Sequence, residues 1–477
     1  MRRSKRRAFL VMVPALAVSL AISADAPKPL PPVPTRTQLE WQRGEATIFL
    51  HFGINTFTDR EWGLGNEDPR IFNPAHLDAR QWVSAAKAGG FKIVILTAKH
   101  HDGFCLWPSK YTDHSVKNSP WRDGKGDVVR ELAEACREGG LKLGIYLSPW
   151  DRHEKTYGDS PKYNEYYRNQ LTELMTGYGP IAEVWFDGAC GEGPNGKRQE
   201  YDWEGYRAVV RKYQPDAVMF SDAGPDIRWI GNEKGFAGDP CWSTIDPKVV
   251  PYPGAEGNAI IDALQHGTRG GTVWRPGECD VSIRPGWFWH KKEDLKVRSV
   301  ENLIDLYFKS VGRNSLLLLN VPPNDQGLLS EPDVRRLLEF RQSLQRIFHT
   351  DLAVQGKATA SNSRGEDPVY APARALDGDW HTYWATDDQV TSAWIELDLG
   401  KPVQFNISNL QEAIWLGQRV EAYHLEYWDG SAWKLIVAGT TIGNRKLDRF
   451  EKVTARRVRL VIDKSLASPA ISTFGLY

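Results

Sequence analysis

The stretch DARQWVSAAKAGGFKIVILTAKHHDGF, residues 78–104, decides the fold. Its first part, 78–88, places Trp82, Val83 and Ala86 at helical spacing and stops at Gly89-Gly90. A short β-branched run over 92–98 follows, then a polar loop that begins Lys99-His100-His101-Asp102-Gly103-Phe104. Helix, strand and polar loop recur on both sides of it. A second helix, 127–138, stops at Gly139-Gly140, and strand candidates lie at 47–54, 142–148, 181–186, 217–221, 282–288 and 315–321. The first five strands start 45, 50, 39 and 36 residues apart, room for one helix and two loops each time. Alternation at this cadence predicts a parallel sheet, closed as a barrel or doubly wound. Neither a GxGxxG fingerprint nor a P-loop is present, so the barrel is preferred.

Helix 331–348 closes this domain, and the texture then changes. Alternating segments at 392–399, 422–428, 433–438 and 456–462, with turn residues between them, predict an antiparallel sandwich. The expected architecture is therefore a (β/α)8-like TIM barrel over 39–350 and a β-sandwich over 351–477. At 477 residues the chain is in any case too long for one core. Ahead of the barrel, 27–34 is Pro-rich, and 27–38 reads as an extended linker. Residues 1–26 read as an export signal: Arg2, Arg3, Lys5, Arg6 and Arg7 precede an apolar run of about 15 residues, then small Ser23, Ala24 and Ala26. That run is short for a membrane span, so the expected location is periplasmic or secreted.

The 60 basic and 60 acidic side chains cancel, which removes the electrostatic basis for nucleic-acid or membrane-surface binding. The 19 Trp, 17 Tyr and 17 Phe suit a neutral partner with apolar faces, such as a sugar. Five cysteines without a CxxC pair form neither a disulfide scaffold nor a structural zinc site, and their pairing is open.

In a barrel, chemistry sits just past the carboxyl ends of the strands. There the sequence puts His51, His100 and His101, Tyr146, and Asp187 after Trp185 and Phe186. Adjacent His100 and His101 would point to opposite sides of a regular strand, and HExxH is absent, so hydrogen bonds to sugar hydroxyls are preferred to a catalytic metal. Glycoside hydrolysis needs two carboxyl groups across the scissile bond. Asp187 suits the nucleophile. Glu233 lies 46 residues on, about one βα unit, in a non-helical stretch beside Trp229, Asn232 and Gly235, and suits the partner.

The set His51-Phe52-Gly53, Lys99 to Phe104, Glu183-Val184-Trp185-Phe186-Asp187-Gly188 and Arg228-Trp229-Ile230-Gly231-Asn232-Glu233 resembles glycoside hydrolase family 29, the α-L-fucosidases, over roughly 35–345. The resemblance implies a retaining exo-enzyme with a covalent intermediate on Asp187 and no cofactor. The Arg228-to-Glu233 motif is similar to the branch that removes α-1,3- and α-1,4-linked fucose from branched Lewis-type glycans, with Glu233 as general acid/base. His51, Glu61, Trp62, His100, His101, Tyr146, Trp185, Arg228 and Trp287 would line the fucose pocket, and Lys99 and Asp102 would be structural. The partners implied are fucosylated oligosaccharides or glycoconjugates, with no nucleic acid and no membrane insertion. The tail, through Ala375-Leu376-Asp377-Gly378-Asp379-Trp380 and Trp394-Ile395-Glu396-Leu397-Asp398-Leu399-Gly400, resembles a discoidin or coagulation-factor type C sandwich. In that resemblance Asp377, Asp379 and Thr382 are candidates for a structural calcium. Alternatives are a broad-specificity fucosidase, a retaining exo-glycosidase for another sugar, and a non-catalytic glycan-binding protein. The last would be expected to lack Asp187 or Glu233.

Overall fold

The computed structural model of the chain describes residues 24–477, so 1–23 of the expected export signal lie outside it. Eight parallel strands build the first domain: β1 (Ala46–Leu50), β2 (Ile93–Lys99), β3 (Lys142–Leu147), β4 (Ile181–Trp185), β5 (Val218–Phe220), β6 (Arg228–Trp229), β7 (Gly277–Ser282) and β8 (Leu316–Asn320). They run in the order β5-β4-β3-β2-β1-β8-β7-β6, and a parallel bridge between Phe220 and Ile227 closes the ring into a TIM-like barrel. The helices between them start and stop where local chemistry dictates. Asp78 accepts from the N–H groups of Arg80 and Gln81 ahead of helix Ala79–Gly89, and Gly90 ends it at φ 90°, a conformation that costs glycine little. Asp127 and Gly140 frame helix Val128–Gly139 in the same way.

Two strand assignments need correcting. The strand expected at 282–288 lies at Gly277–Ser282, and 283–288 is rim loop. The true strand carries Glu278 and Asp280 inside the barrel, where apolar patterning fails, whereas the apolar residues after it belong to the loop. β6 was not expected as a strand at all, being two residues long in a Gly-rich segment.

Alternation along each strand divides the domain into two cores. Phe49, Ile93, Ile95, Tyr146, Trp185, Val218, Phe220, Leu316 and Leu318 fill the barrel interior, floored by Trp41 of helix Arg36–Gln42. Their neighbours Ile48, Leu50, Val94, Leu96, Ile145, Leu147 and Val184 face the surrounding helices. Continued two residues beyond the last inward residue of each strand, the inward parity points His51 after Phe49, and Asp187 after Trp185, over the barrel mouth.

The second domain is antiparallel, with strands Lys357–Ala360, Trp384–Ala385, Ala393–Glu412, Val420–Trp428, Trp433–Gly439, Lys446–Ser465 and Ala470–Leu476 around one core. Its two 20-residue strands pair with each other through bulges that bend them. The domain docks on the end of the barrel opposite the mouth. Gln418 Oε1 accepts from Ser243 N at 2.7 Å and Asn314 Nδ2 at 3.2 Å, while its Nε2 donates to Cys241 O at 3.0 Å. Arg445 pairs with Glu45 at 2.5 Å and with Tyr307 Oη at 3.0 Å. The expected linker is extended, as its prolines require, but strapped to the sandwich: Leu30 N donates to Leu416 O and Arg419 Nη2 to Lys28 O, and helix begins already at Arg36.

Candidate active site

The site forms at the carboxyl ends of β1 to β4 and β7, with the loop after β6 closing one side. Asp187 follows β4 by two residues. Its Oδ2 accepts from Tyr146 Oη at 2.9 Å, its Oδ1 from Ala189 N at 2.8 Å, and His101 Nε2 stands 3.9 Å from Oδ2. Burial, and then the Asp187 charge, push the Tyr146 phenol far up, so Tyr146 serves as a fixed donor. Trp185 is clamped beneath, stacked on Phe220 at 3.9 Å and donating from Nε1 to Glu278 Oε1 at 2.9 Å.

Glu233 faces this carboxylate from the loop after β6. Its Oε2 accepts from Trp287 Nε1 at 3.3 Å. Partial burial raises its carboxyl above the ordinary value, the Trp287 bond opposes the rise, and the negative charges of Asp187 and Glu61 add to it. A carboxylate and a carboxyl group of raised pKa thus share one cleft.

The histidines are neutral. Burial holds His51 at about 3 and His101 at about 4, and drives His100 well below its ordinary value. The two adjacent rings do not diverge as a regular strand would make them: β2 ends at Lys99, and His100 and His101 lie side by side, 4.0 Å between centroids. Hydrogen bonding selects a tautomer for His101. Ser148 Oγ donates to Trp150 O at 2.6 Å and so accepts from His101 Nδ1 at 2.7 Å, leaving Nε2 unprotonated at the mouth, 3.9 Å from Asp187 Oδ2 and not bonded to it. His51 lies 5.0 Å from Trp287 and 5.7 Å from His100.

Glu61 and Trp62 come to the rim from the loop after β1. Glu61 accepts from Trp287 N at 2.7 Å, Phe288 N at 3.3 Å and His290 Nε2 at 2.7 Å, so it ties two rim loops together. Trp62, 57% exposed, packs edge-on against His101 and Trp150 and offers an open aromatic face. Arg228 is not part of this assembly. Fully buried, it spends its guanidinium on Leu264 O, Arg275 O and Cys241 Sγ, a bracket inside the fold. Lys99 and Asp102 are internal: Lys99 pairs with Asp151 at 2.9 Å and Asp102 accepts from Phe104 N at 2.7 Å.

Sequence reasoning missed several neighbours. Trp150 packs on His101 at 4.8 Å; His290 joins Glu61 to Asp59; Asn320 bonds His51. Asp280 anchors Trp229 Nε1 at 2.8 Å, and Asp222, raised to about 6 by burial, accepts from Gly254 N beside Gly188. Trp150 and Asp222 had a visible signal, each lying just past an expected strand end. In the second domain, Asp377 accepts from Thr382 Oγ1 and Asp379 N, and Arg374 stands 3.6 Å away, so a guanidinium and local donors already meet the carboxylate proposed for calcium. Among the described residues no cluster of three or more His, Cys, Asp or Glu side chains is arranged to hold a metal, none of the five cysteines is paired, and no helix is long and apolar enough to cross a membrane.

Comparison with known proteins agrees with this chemistry. The family model for alpha-L-fucosidase matches residues 37–346, and that for the F5/8 type C domain matches 357–473. Alpha-L-fucosidase 1 of Arabidopsis thaliana is 49% identical over 455 residues, 94% of this chain and 88% of the relative. A Ruminococcus gnavus GH29 fucosidase solved in complex with fucose is 37% identical, with TM-score 0.88 over 95% of this chain and 96% of that one. The structure called SpGH29 is 42% identical, with TM-score 0.89 over 94% and 99%.

Proposed function

The chain belongs to the α-L-fucosidases of glycoside hydrolase family 29, and on that premise we propose that it is a retaining exo-enzyme with Asp187 as nucleophile and Glu233 as general acid/base. Its proposed substrates are glycans carrying terminal α-1,3- or α-1,4-linked L-fucose on a branch. The observation that carries the mechanism is the carboxyl pair. Asp187 is oriented by Tyr146 and Ala189, and the Glu233 carboxyl is raised above its ordinary value by burial and by facing negative charge.

Retention calls for two carboxyl groups ~5–5.5 Å apart, one on each side of the glycosidic bond. Asp187 attacks the anomeric carbon; the bond to the leaving oxygen breaks, and Glu233 gives that oxygen its proton. The fucosyl ester on Asp187 is then opened by water, whose proton returns to Glu233. The Tyr146 hydroxyl steadies the Asp187 carboxylate in the free enzyme and again as the ester leaves. Neutral His51, His100 and His101 exchange hydrogen bonds with sugar hydroxyls without adding charge, and Trp185 and Trp62 offer faces to the ring. Glu61 acts chiefly by holding the Trp287 loop.

The linkage preference rests on the Arg228-to-Glu233 motif. Export rests on residues 1–26, and N-terminal sequencing of protein recovered outside the cytoplasm would test it. The direct test of function is fucose release from a Lewis-type trisaccharide, an α-1,2-fucosylated disaccharide and an aryl α-L-fucoside, by unmodified protein and Asp187→Ala. Fast release from the trisaccharide alone, abolished by the substitution, supports the proposal. Equal action on both natural linkages leaves a broad-specificity fucosidase, and release by Asp187→Ala rejects the nucleophile.

A further inference from the structure

Asn320, the last residue of β8, is fully buried, and all four of its hydrogen-bonding positions are engaged. Its Oδ1 accepts from His51 N at 3.2 Å and meets His51 Nδ1 at 2.9 Å. Its Nδ2 donates to Ser282 Oγ at 2.9 Å and to Trp287 O at 2.7 Å. The orientation of the amide is over-determined. Ser282 gives its own proton to Gly286 O at 2.6 Å, so it can only accept from Asn320, and a backbone carbonyl can only accept. The oxygen of the carboxamide therefore faces His51, and His51 must carry its proton on Nδ1.

From this geometry we infer that Asn320 is a positioning residue for the reaction. One carboxamide locks His51 in the Nδ1–H tautomer, with Nε2 as acceptor in the pocket, and pins the loop from which Trp287 reaches Glu233. Sugar recognition on one wall and proton donation on the other thus share one supporting side chain that touches neither the sugar nor the reacting atoms, with Glu61 holding the same Trp287 loop from its other side. The inference rests on the proposed roles of His51 and Glu233. The titratable groups around His51 are His100, His101 and Tyr146, with Asp187 beyond Tyr146; the two histidines are held neutral, and none of the four bonds Nδ1. Asn320 alone decides the tautomer.

The test uses the full-length protein with Asn320→Asp, Asn320→Ala and His51→Ala. A carboxylate facing Nδ1 favours the imidazolium, which has no acceptor at Nε2, so Asn320→Asp should move the acid limb of kcat/KM upward by about one pH unit or more. Losing both donors to Ser282 and Trp287 should also cost more on fucosides with poor leaving groups than on activated aryl fucosides, because the former depend on Glu233. A profile that superimposes on that of the unmodified enzyme, or a loss equal at every pH and for every leaving group, overturns the inference. Imidazole nitrogen shifts of His51 in the unmodified protein give a reading that needs no variant: the Nδ1–H form supports it and the Nε2–H form overturns it. His51→Ala separates the two proposals. If that variant keeps full kcat/KM, the sugar-contact reading fails and takes this inference with it; if it is crippled while Asn320→Asp behaves as unmodified, only the inference fails.

Discussion

At the residue scale, the two carboxyl groups differ because their surroundings differ. Asp187 is held by a phenol and a backbone N–H, whereas Glu233 is partly desolvated and faces negative charge. Trp287 bonds the charged form of Glu233 and so opposes its rise. Trp287→Phe removes that opposition and should move the basic limb of kcat upward by ~0.5 pH unit; a downward shift would mean that Trp287 is not holding the carboxylate. Glu233→Gln should lower kcat by roughly 10²- to 10⁴-fold on poor leaving groups and far less on activated ones, as loss of a general acid does. Rates measured across a series of leaving groups check this. Much of the site was legible at this scale, because strand-end position and inward parity are properties of the sequence. Arg228 was misread because a position next to the acid/base motif does not say which way a side chain points. Asn320 and His290 were invisible because they act through other residues.

At the scale of elements, β7 explains both a misplaced strand and the order in the pocket. Its inward residues Glu278, Asp280 and Ser282 accept, in turn, from Trp185, Trp229 and Asn320, so one polar edge positions three groups below the mouth. Such a strand has no apolar alternation inside, and patterning slid the assignment onto the apolar loop after it. Trp41 donates to Glu183 Oε2, while Glu183 Oε1 and Glu278 Oε2 have no other donor, so a shared proton satisfies both carboxyls. Burial raises the pair, Glu278 the more because it also faces Glu183. The folded protein keeps a proton that the unfolded chain has lost above about pH 4.5, so this pair makes stability fall as pH rises through that window, by about 1.4 kcal/mol per unit. Glu278→Gln should flatten the fall: relative to unmodified protein, its Tm should rise between pH 5 and pH 7. An unchanged or widening deficit in thermal unfolding would mean that the pair is ionised.

At the scale of the whole molecule, the sandwich meets the barrel at the end away from the mouth, so among the described residues it supplies none of the site described above and serves as a base. The two-domain plan was legible from the change in strand spacing near residue 350, but the interface was not, since Gln418 and Arg445 lie in loops with no pattern. Gln418→Ala would strand Ser243 N in a buried seam, while the Asn314 amide keeps Cys241 O and Ser243 Oγ, costing about 1–3 kcal/mol. Thermal unfolding should show a lower Tm with kcat unchanged; a fall in kcat alone would implicate the sandwich in catalysis. The central claim, that Asp187 carries the fucosyl group, is tested most directly by a 2-fluorinated fucosyl fluoride, whose good leaving group forms the glycosyl-enzyme faster than the fluorine-slowed second step removes it. Peptide mapping by mass spectrometry should find one ester of the 2-fluorinated fucosyl group, on Asp187. An ester on Asp222 or any other carboxyl group, or no adduct on enzyme that is active, would contradict the account.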